Sequence, residues 1–423
     1  MRILVVGSGG REHALVWKIG QSKRVTKLFC APGNPGIAEL SECAPIPATD
    51  LNPLVAFASD NRIDLTIVGP EVPLCGGIAD VFRARGLRIL GPTQRAARLE
   101  GSKVFCKQLL LKSGVPTAPA EIFSDAPAAR DYVRQHGVPV VVKADGLAGG
   151  KGVVVAQSVA EAERAISDLM ERRVLGDAGG QVVIEECLSG EEASVMALVD
   201  GKTFRVLASA QDHKRALDGD RGPNTGGMGA YSPTPAVRAS MSGDIDEIFS
   251  RTLKGLQAEG IEYSGVLYAG LMLTKDGPKV LEFNCRFGDP ETQAVVPRMD
   301  FDLASAAQAT ADGRLGELDL KWRPESAVCV VTAAAGYPGP FERGRPIEGL
   351  KEASELANVT VFHAGTKRRA DGVVVTDGGR VLGVTALGAN VEQGARRAYE
   401  AVERIHFDGM QFRRDIAARA IGK

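Results

Sequence analysis

The first hundred residues alternate short apolar runs with helical patterns, and no other feature limits the possible folds as strongly. Apolar runs at 3–6, 27–30, 64–68 and 88–90 are separated by helical periodicity over 11–20 and 76–85. This rhythm predicts a parallel sheet flanked by helices, with the loops after the strands gathered along one edge. Three of those loops are glycine-bearing: Gly7-Ser8-Gly9-Gly10, Pro32-Gly33-Asn34-Pro35-Gly36 and Gly69-Pro70-Glu71. A dinucleotide fingerprint would need Gly or Ala where Glu12 stands, and the second strand ends without the acidic residue that grips a ribose. The first loop suits a sugar phosphate held by backbone N–H groups and Arg11, and equally a plain strand-to-helix turn.

A chain of 423 residues exceeds the roughly 250–300 residues that one hydrophobic core serves, so several units are expected. Residues 102–113 read as a helix, and Gly114-Val-Pro-Thr-Ala-Pro119 breaks it as a hinge. A small α+β unit over 120–186 follows. At its centre, apolar strands at 138–143 and 153–156 flank Ala144-Asp-Gly-Leu-Ala-Gly149-Gly150-Lys151-Gly152. A P-loop would need Gly at 145 and Ser or Thr at 152, and it would open a helix where Val153-Val-Val155 reads as strand. The segment fits either a mobile glycine flap, with Lys143 and Lys151 as point charges on phosphate, or a solvated hairpin tip.

Further on, the strand 181–185 runs into Glu186-Cys-Leu188 and Glu192, a linker whose backbone could meet an adenine edge while a carboxylate takes ribose hydroxyls. Residues 211–235 are polar and glycine-rich without periodicity, which predicts a long functional loop. A helix over 240–260 and strands near 267–273 and 279–284 lead into Val280-Leu281-Glu282-Phe283-Asn284-Cys285-Arg286. Strand alternation would place Glu282, Asn284 and Arg286 on one face and Leu281, Phe283 and Cys285 on the other. A carboxylate and an amide oxygen two apart suit one hard cation, and Arg286 offers a fork for a carboxylate or phosphate. A lone Glu-x-Asn also fits a half-exposed edge strand. A helix over 301–311, a boundary at Trp322-Arg-Pro324 and a final α+β unit over 325–423 complete the reading.

The net charge of −1 gives no general pull toward nucleic acid or anionic membrane. Seven scattered cysteines without a Cys-x-x-Cys pair argue against a disulfide framework or structural zinc. The apolar run at the start is too short for a signal peptide or a span. A cytoplasmic protein with reduced thiols is expected, with small-molecule partners and a monomeric or weakly dimeric state.

Taken in order, Lys143, the glycine flap, Glu185-Glu186, Glu192 and Glu282-x-Asn284 resemble the ATP-grasp superfamily. Within it the chain is most similar to the glycinamide ribonucleotide synthetases. The motifs that carry this are Gly-Gly-Arg-Glu-His-Ala14, Ala-Pro-Gly-Asn34, Val-Gly-Pro-Glu71, Lys-Ala-Asp-Gly-Leu-Ala148, Gln-Asp-His-Lys214, Gly-Pro-Asn-Thr-Gly-Gly-Met-Gly-Ala-Tyr231 and Glu-Phe-Asn-Cys-Arg-Phe-Gly-Asp-Pro-Glu291. They span essentially the whole chain. One departure concerns the strand before Glu282, where the superfamily often has an acidic metal ligand and this chain has Leu271-Met-Leu273.

The resemblance implies an α/β and α+β multidomain fold. It comprises a Rossmann-like N-terminal domain over 1–101, an ATP-grasp core over 102–119 and 187–324, a small lid over 120–186, and a C-terminal α+β domain over 325–423. It implies an ATP-dependent ligase that joins glycine to 5-phospho-D-ribosylamine through glycyl phosphate, in purine biosynthesis, with Mg²⁺ or Mn²⁺ on Glu282 and Asn284. The nucleotide would meet Lys103, Lys143, Gly149, Gly150, Lys151, Glu185, Glu186, Leu188, Glu192 and Asn284. Glycine would meet Arg286, with Asp212 and Lys214 nearby. The sugar phosphate would meet Gly9, Gly10, Arg11, Glu12, Gly33, Asn34 and Glu71. Lys143, Lys151, Asp212, Lys214 and Arg286 would serve the chemistry. Competing readings are another ATP-grasp carboxylate ligase, a dehydrogenase built on the first domain, and a nucleotide sensor without turnover.

Overall fold

A computed structural model describes residues 1–147 and 152–422. The N-terminal unit is a five-stranded parallel sheet in the order 42–43, 27–32, 2–7, 65–68, 89–90. The strand Arg2–Gly7 is central, and Ile3 to Val6 are wholly buried, as a strand covered by helices on both faces must be. Strand order reverses beside it, so the loops after Gly7 and Val68 open onto one crevice. Gly7 adopts φ +130°, and a side chain at Gly7 or at Gly69 would overlap the Glu12 side chain, which fills the space between the two loops.

The lid is an antiparallel four-stranded sheet in the order 120–123, 182–186, 140–144, 153–156. It has its own small core, in which Val142, Ala156 and Val182 pack against Val133 and Ile166 of two helices. Those helices begin at Asp125 and Ser158, whose side chains accept the Ala128 and Glu161 N–H groups. The core sheet runs 204–206, 191–200, 264–274, 277–284. Its last pair contains a bulge, since Gly270 faces Glu282 while Leu271 faces Val280. Leu281 is therefore the extra residue and borders the central cavity instead of packing inward as alternation predicts. The strand ends at Asn284, so Arg286 stands in the bend beyond it.

The segment 211–235 departs from the expected long loop. Residues Gln211–Asp212 and Gly229–Ser232 are strands, and Arg215–Leu217 with Arg221–Asn224 form a hairpin. Gly229–Ser232 pairs with Ser326–Ala333, giving a five-stranded sheet in the order 211–212, 229–232, 326–333, 380–388, 359–363. Polar composition hid this because the strand's residues are small or singly aromatic, yet all four are buried. The C-terminal sheet thus begins well before the expected boundary at 325.

The N-terminal and C-terminal units meet at His13. His363 N–H donates to His13 Nδ1 at 2.7 Å, and Asn34 Nδ2 donates to His363 O at 2.8 Å. Burial, then the neighbouring His363, holds His13 at about 3 instead of 6.5, while burial and Arg368 hold His363 at about 4. Below pH 6.5 the unfolded chain therefore binds protons that the folded chain refuses. Stability should fall with acid over that window, by about 1.4 kcal/mol per pH unit for each histidine. Denaturant melts of His13→Gln between pH 7 and 4 should show a flatter slope than the parent; an unchanged slope would clear His13 of this role.

Candidate active site

A cavity of about 1300 Å³ lies where the four units meet. At one end the helix Lys103–Lys112 starts at Ser102, whose hydroxyl accepts the Phe105 N–H, and Lys103 borders the cavity. Lys103 Nζ donates to Gly146 O at 3.2 Å, and Val104 N–H donates to Asp145 Oδ1 at 3.1 Å, so the base of the glycine-rich hairpin is fastened to the core. Gly149, Gly150 and Lys151 lie outside the described residues. Lys143 donates to Leu281 O at 2.9 Å and pairs with Glu185 at 2.8 Å. The bulge is what presents that carbonyl.

Glu185 also pairs with Lys107 at 3.2 Å, a buried lysine whose remaining bonds go to Thr117 Oγ1 and Ala118 O. Burial pulls Lys107 below its ordinary value and Glu185 opposes it. Two ammonium groups facing one buried carboxylate leave net positive charge beside the cavity, which phosphate would neutralise. Glu185 borders the cavity with its carboxylate engaged by these two lysines. Glu186, Leu188 and Glu192 border it too, beside Val141, Val155 and Met272.

Glu282 and Asn284 face the middle of the cavity. Lys214 Nζ stands 3.4 Å from Glu282 and 3.8 Å from Glu192. Lys214 first, then Lys143 and Lys103, hold the Glu282 carboxyl at about 2, against burial that would raise it. Ionised at neutral pH, it offers with the Asn284 amide oxygen two hard donors of the kind Mg²⁺ and Mn²⁺ take. Among the described residues there is no group of three His, Cys, Asp or Glu that could hold a metal. Phosphate oxygens and water would have to complete the shell. The lysines alongside repel a bare cation, so the donor set fits a metal arriving with its triphosphate.

Arg286 is less free than the sequence suggests. Nη2 pairs with Glu100 at 2.9 Å and donates to Asn284 Oδ1 at 3.3 Å, while Nη1 donates to Phe287 O at 3.3 Å. Nε lies 3.4 Å from Glu71 and is buried without a hydrogen-bond partner. The protein takes three of the five guanidinium N–H groups, leaving one on Nη1 and the Nε–H that faces Glu71. Glu100 also accepts the Cys285 N–H at 2.7 Å; burial raises its carboxyl and Arg286 counters that.

Across the cavity Asp212 holds a buried Oδ1 that has no hydrogen-bond partner among the described residues. Glu291 stands near it, buried, its Oε1 accepting the Ser194 and Tyr268 hydroxyls at 2.9 Å each. Burial first, and the Glu291 carboxylate second, push Asp212 well above the usual carboxylate range. Two buried carboxyls in this state are a natural seat for a cation.

Of the N-terminal residues expected to hold a sugar phosphate, Arg11 and Glu71 border the cavity; Gly9, Gly10, Glu12, Gly33 and Asn34 do not. Glu12 is turned inward, accepting the Gly9 N–H at 2.6 Å and Arg11 Nε at 2.5 Å. The Asn34 amide is spent on Ser8 O, His363 O and the Ile37 N–H. Gly33 packs on Cys43 and Gly10 on Gln293. These positions shape the loops and leave few donors for a ligand. Lys107, Glu100, Glu291, Tyr268, Tyr337 and Arg380 border the cavity without having been singled out from sequence. Glu291 closes a quoted motif and so carried a signal; the others are read only in three dimensions.

Sequence profiles of the phosphoribosylglycinamide synthetase N domain, ATP-grasp (A) domain and C domain match residues 1–100, 101–292 and 327–419. Phosphoribosylamine–glycine ligase of Vibrio cholerae is 51% identical over 427 residues, covering 100% of this chain and 99% of the relative. The enzyme of the same name from Neisseria meningitidis is 50% identical over 425 residues, with both chains fully covered. The crystal structure of phosphoribosylamine–glycine ligase from Thermotoga maritima superposes with a TM-score of 0.87 at 36% identity, over 99% of this chain and 100% of that one. The biotin carboxylase domain of Hydrogenobacter thermophilus 2-oxoglutarate carboxylase, solved with MgADP, reaches 0.73 at 16% identity over 97% of this chain and 91% of that one, a likeness of fold alone.

Proposed function

The chain belongs to the phosphoribosylglycinamide synthetase family, and on that premise we propose that it joins glycine to 5-phospho-D-ribosylamine, converting ATP to ADP and phosphate and yielding glycinamide ribonucleotide for purine biosynthesis. The observation that carries this reading is that one cavity is bordered by two phosphate-seeking ammonium groups (Lys103, Lys143), an oxygen pair (Glu282, Asn284), and a guanidinium and a carboxyl suited to an amino acid (Arg286, Asp212).

In the first step a glycine carboxylate oxygen attacks the γ-phosphorus and ADP leaves, giving glycyl phosphate. In the second the sugar amine attacks the acyl carbon and phosphate leaves. Phosphoryl transfer asks the protein for alignment and charge neutralisation. Lys103 and Lys143 supply fixed positive charge along the triphosphate, while Glu186, Leu188 and Glu192 border the base and ribose. Mg²⁺ or Mn²⁺ bound by Glu282 and Asn284 would offset phosphate charge. Arg286 takes the glycine carboxylate, and Asp212 with Glu291 takes its ammonium. Lys214 sits between the two carboxylates nearest the phosphates and keeps Glu282 ionised. Arg11 and Glu71 face the sugar phosphate and its hydroxyls. The lid excludes water from the acyl phosphate.

All cysteines among the described residues are free thiols, and no helix described is long and apolar enough to cross a membrane. We place the enzyme in the cytoplasm, where free thiols persist. The assay is ADP release with phosphoribosylamine generated in situ: ADP should accumulate only with glycine, amine and divalent cation all present. Equal ADP release with glycine omitted sinks the proposal.

A further inference from the structure

The C-terminal unit reaches the cavity through Arg380 and Tyr337, and both grip the same glycine. Gly226 N–H donates to Tyr337 Oη at 3.0 Å, and Gly226 O accepts from Arg380 Nη1 at 2.6 Å. The same Nη1 donates to Asp289 O at 3.0 Å, and Nη2 pairs with Asp289 Oδ2 at 2.9 Å. A Cβ at Gly226 would sit 3.0 Å from the Arg380 Cζ, so the guanidinium lies close against the backbone there. Gly227, at φ +109°, follows, and a Cβ on it would stand 2.7 Å from Asp212 Oδ1. The turn is thus wedged between a C-terminal arginine and the one buried carboxylate oxygen of the cavity that has no partner among the described residues. Arg380 is the first residue of its strand, and the aliphatic core of that unit, with Val330, Leu382 and Val384, lies elsewhere. Tyr337 packs at the margin of that core, whereas Arg380 does not belong to it.

We infer that Arg380 and Tyr337 are positioning residues of the amino-acid site: they clamp the Gly226-Gly227 turn, which holds the Asp212 carboxylate where the glycine ammonium is received. This rests on the assignment of Asp212 to that ammonium. Supporting groups of this kind set the precision of a site without touching its ligand. A mere interdomain staple would weaken all ligands together or change only stability.

The test compares full-length parent, Y337F, R380K, D212N and R380K/D212N by calorimetry, titrating glycine into enzyme saturated with Mg²⁺ and a non-hydrolysable ATP analogue. The analogue's own Kd is the control. Losing one neutral hydrogen bond in Y337F should weaken glycine about threefold, and replacing the forked donor in R380K about tenfold, with analogue affinity within about twofold. D212N should weaken glycine more than either, and R380K should add little to D212N because the clamp acts through Asp212. Unchanged glycine affinity in both Y337F and R380K, parallel loss of glycine and analogue, or full additivity with D212N each overturns the inference. Unchanged glycine affinity in D212N instead removes the ammonium assignment, and the clamp with it. If R380K proves unstable, Y337F carries the comparison alone.

Discussion

Glu282→Gln should lower turnover by about 10² to 10³ at saturating Mg²⁺, the scale of losing one preorganised electrostatic group. The variant keeps the shape of the side chain and removes its charge. In the parent that charge is pinned on by Lys214 at 3.4 Å, with Lys143 and Lys103 behind it. Without it, three ammonium groups face one another across the site, and the metal loses its only anionic protein donor among those assigned. Steady-state ADP formation across a Mg²⁺ titration reads the effect, and a thermal midpoint near the parental one separates it from misfolding. Parental turnover in the variant would falsify the metal assignment.

Arg286→Ala should fail twice, once in activity and once in stability. Its removal strands Glu100, which is 8% exposed and relies on the guanidinium as counter-charge. Breaking a buried pair from one side costs about 3–5 kcal/mol. Turnover at low glycine should fall by at least about tenfold, because the counter-charge to glycine's carboxylate goes. The double variant R286A/E100Q should regain most of the lost denaturation midpoint while its glycine requirement stays high. A double variant with recovered activity would mean that Arg286 matters only as a partner for Glu100.

Four of the five strands in the first hundred residues were legible because each is a short, largely apolar run closed by glycine; the two-residue strand Glu42–Cys43 has neither mark. Strands 140–144, 153–156 and 182–186 and the Glu282 strand were legible as apolar runs, whereas strand 120–123 was not. What escaped was carried by contacts between distant residues. Glu100 belongs to an unremarked helix, and only folding sets it against Arg286. Lys107 lies on a helix whose sequence gives no sign of the buried Glu185 that it meets. Glu12 and Asn34 stand in glycine-rich loops of the kind that often hold ligands, yet their polar atoms serve neighbouring loops. The bulge at Leu281 was invisible to strict alternation, which assumes that strands pair one for one.

Because Gly229–Ser232 fills the place beside Ser326–Ala333, the last hundred residues are not a removable module. Severed near 325, they would present an open edge of backbone donors and acceptors, the kind of surface that recruits another chain. Insertions, splits or fusions in this enzyme must keep both halves of that sheet in one polypeptide, so the C-terminal unit travels with the ATP site it helps to enclose.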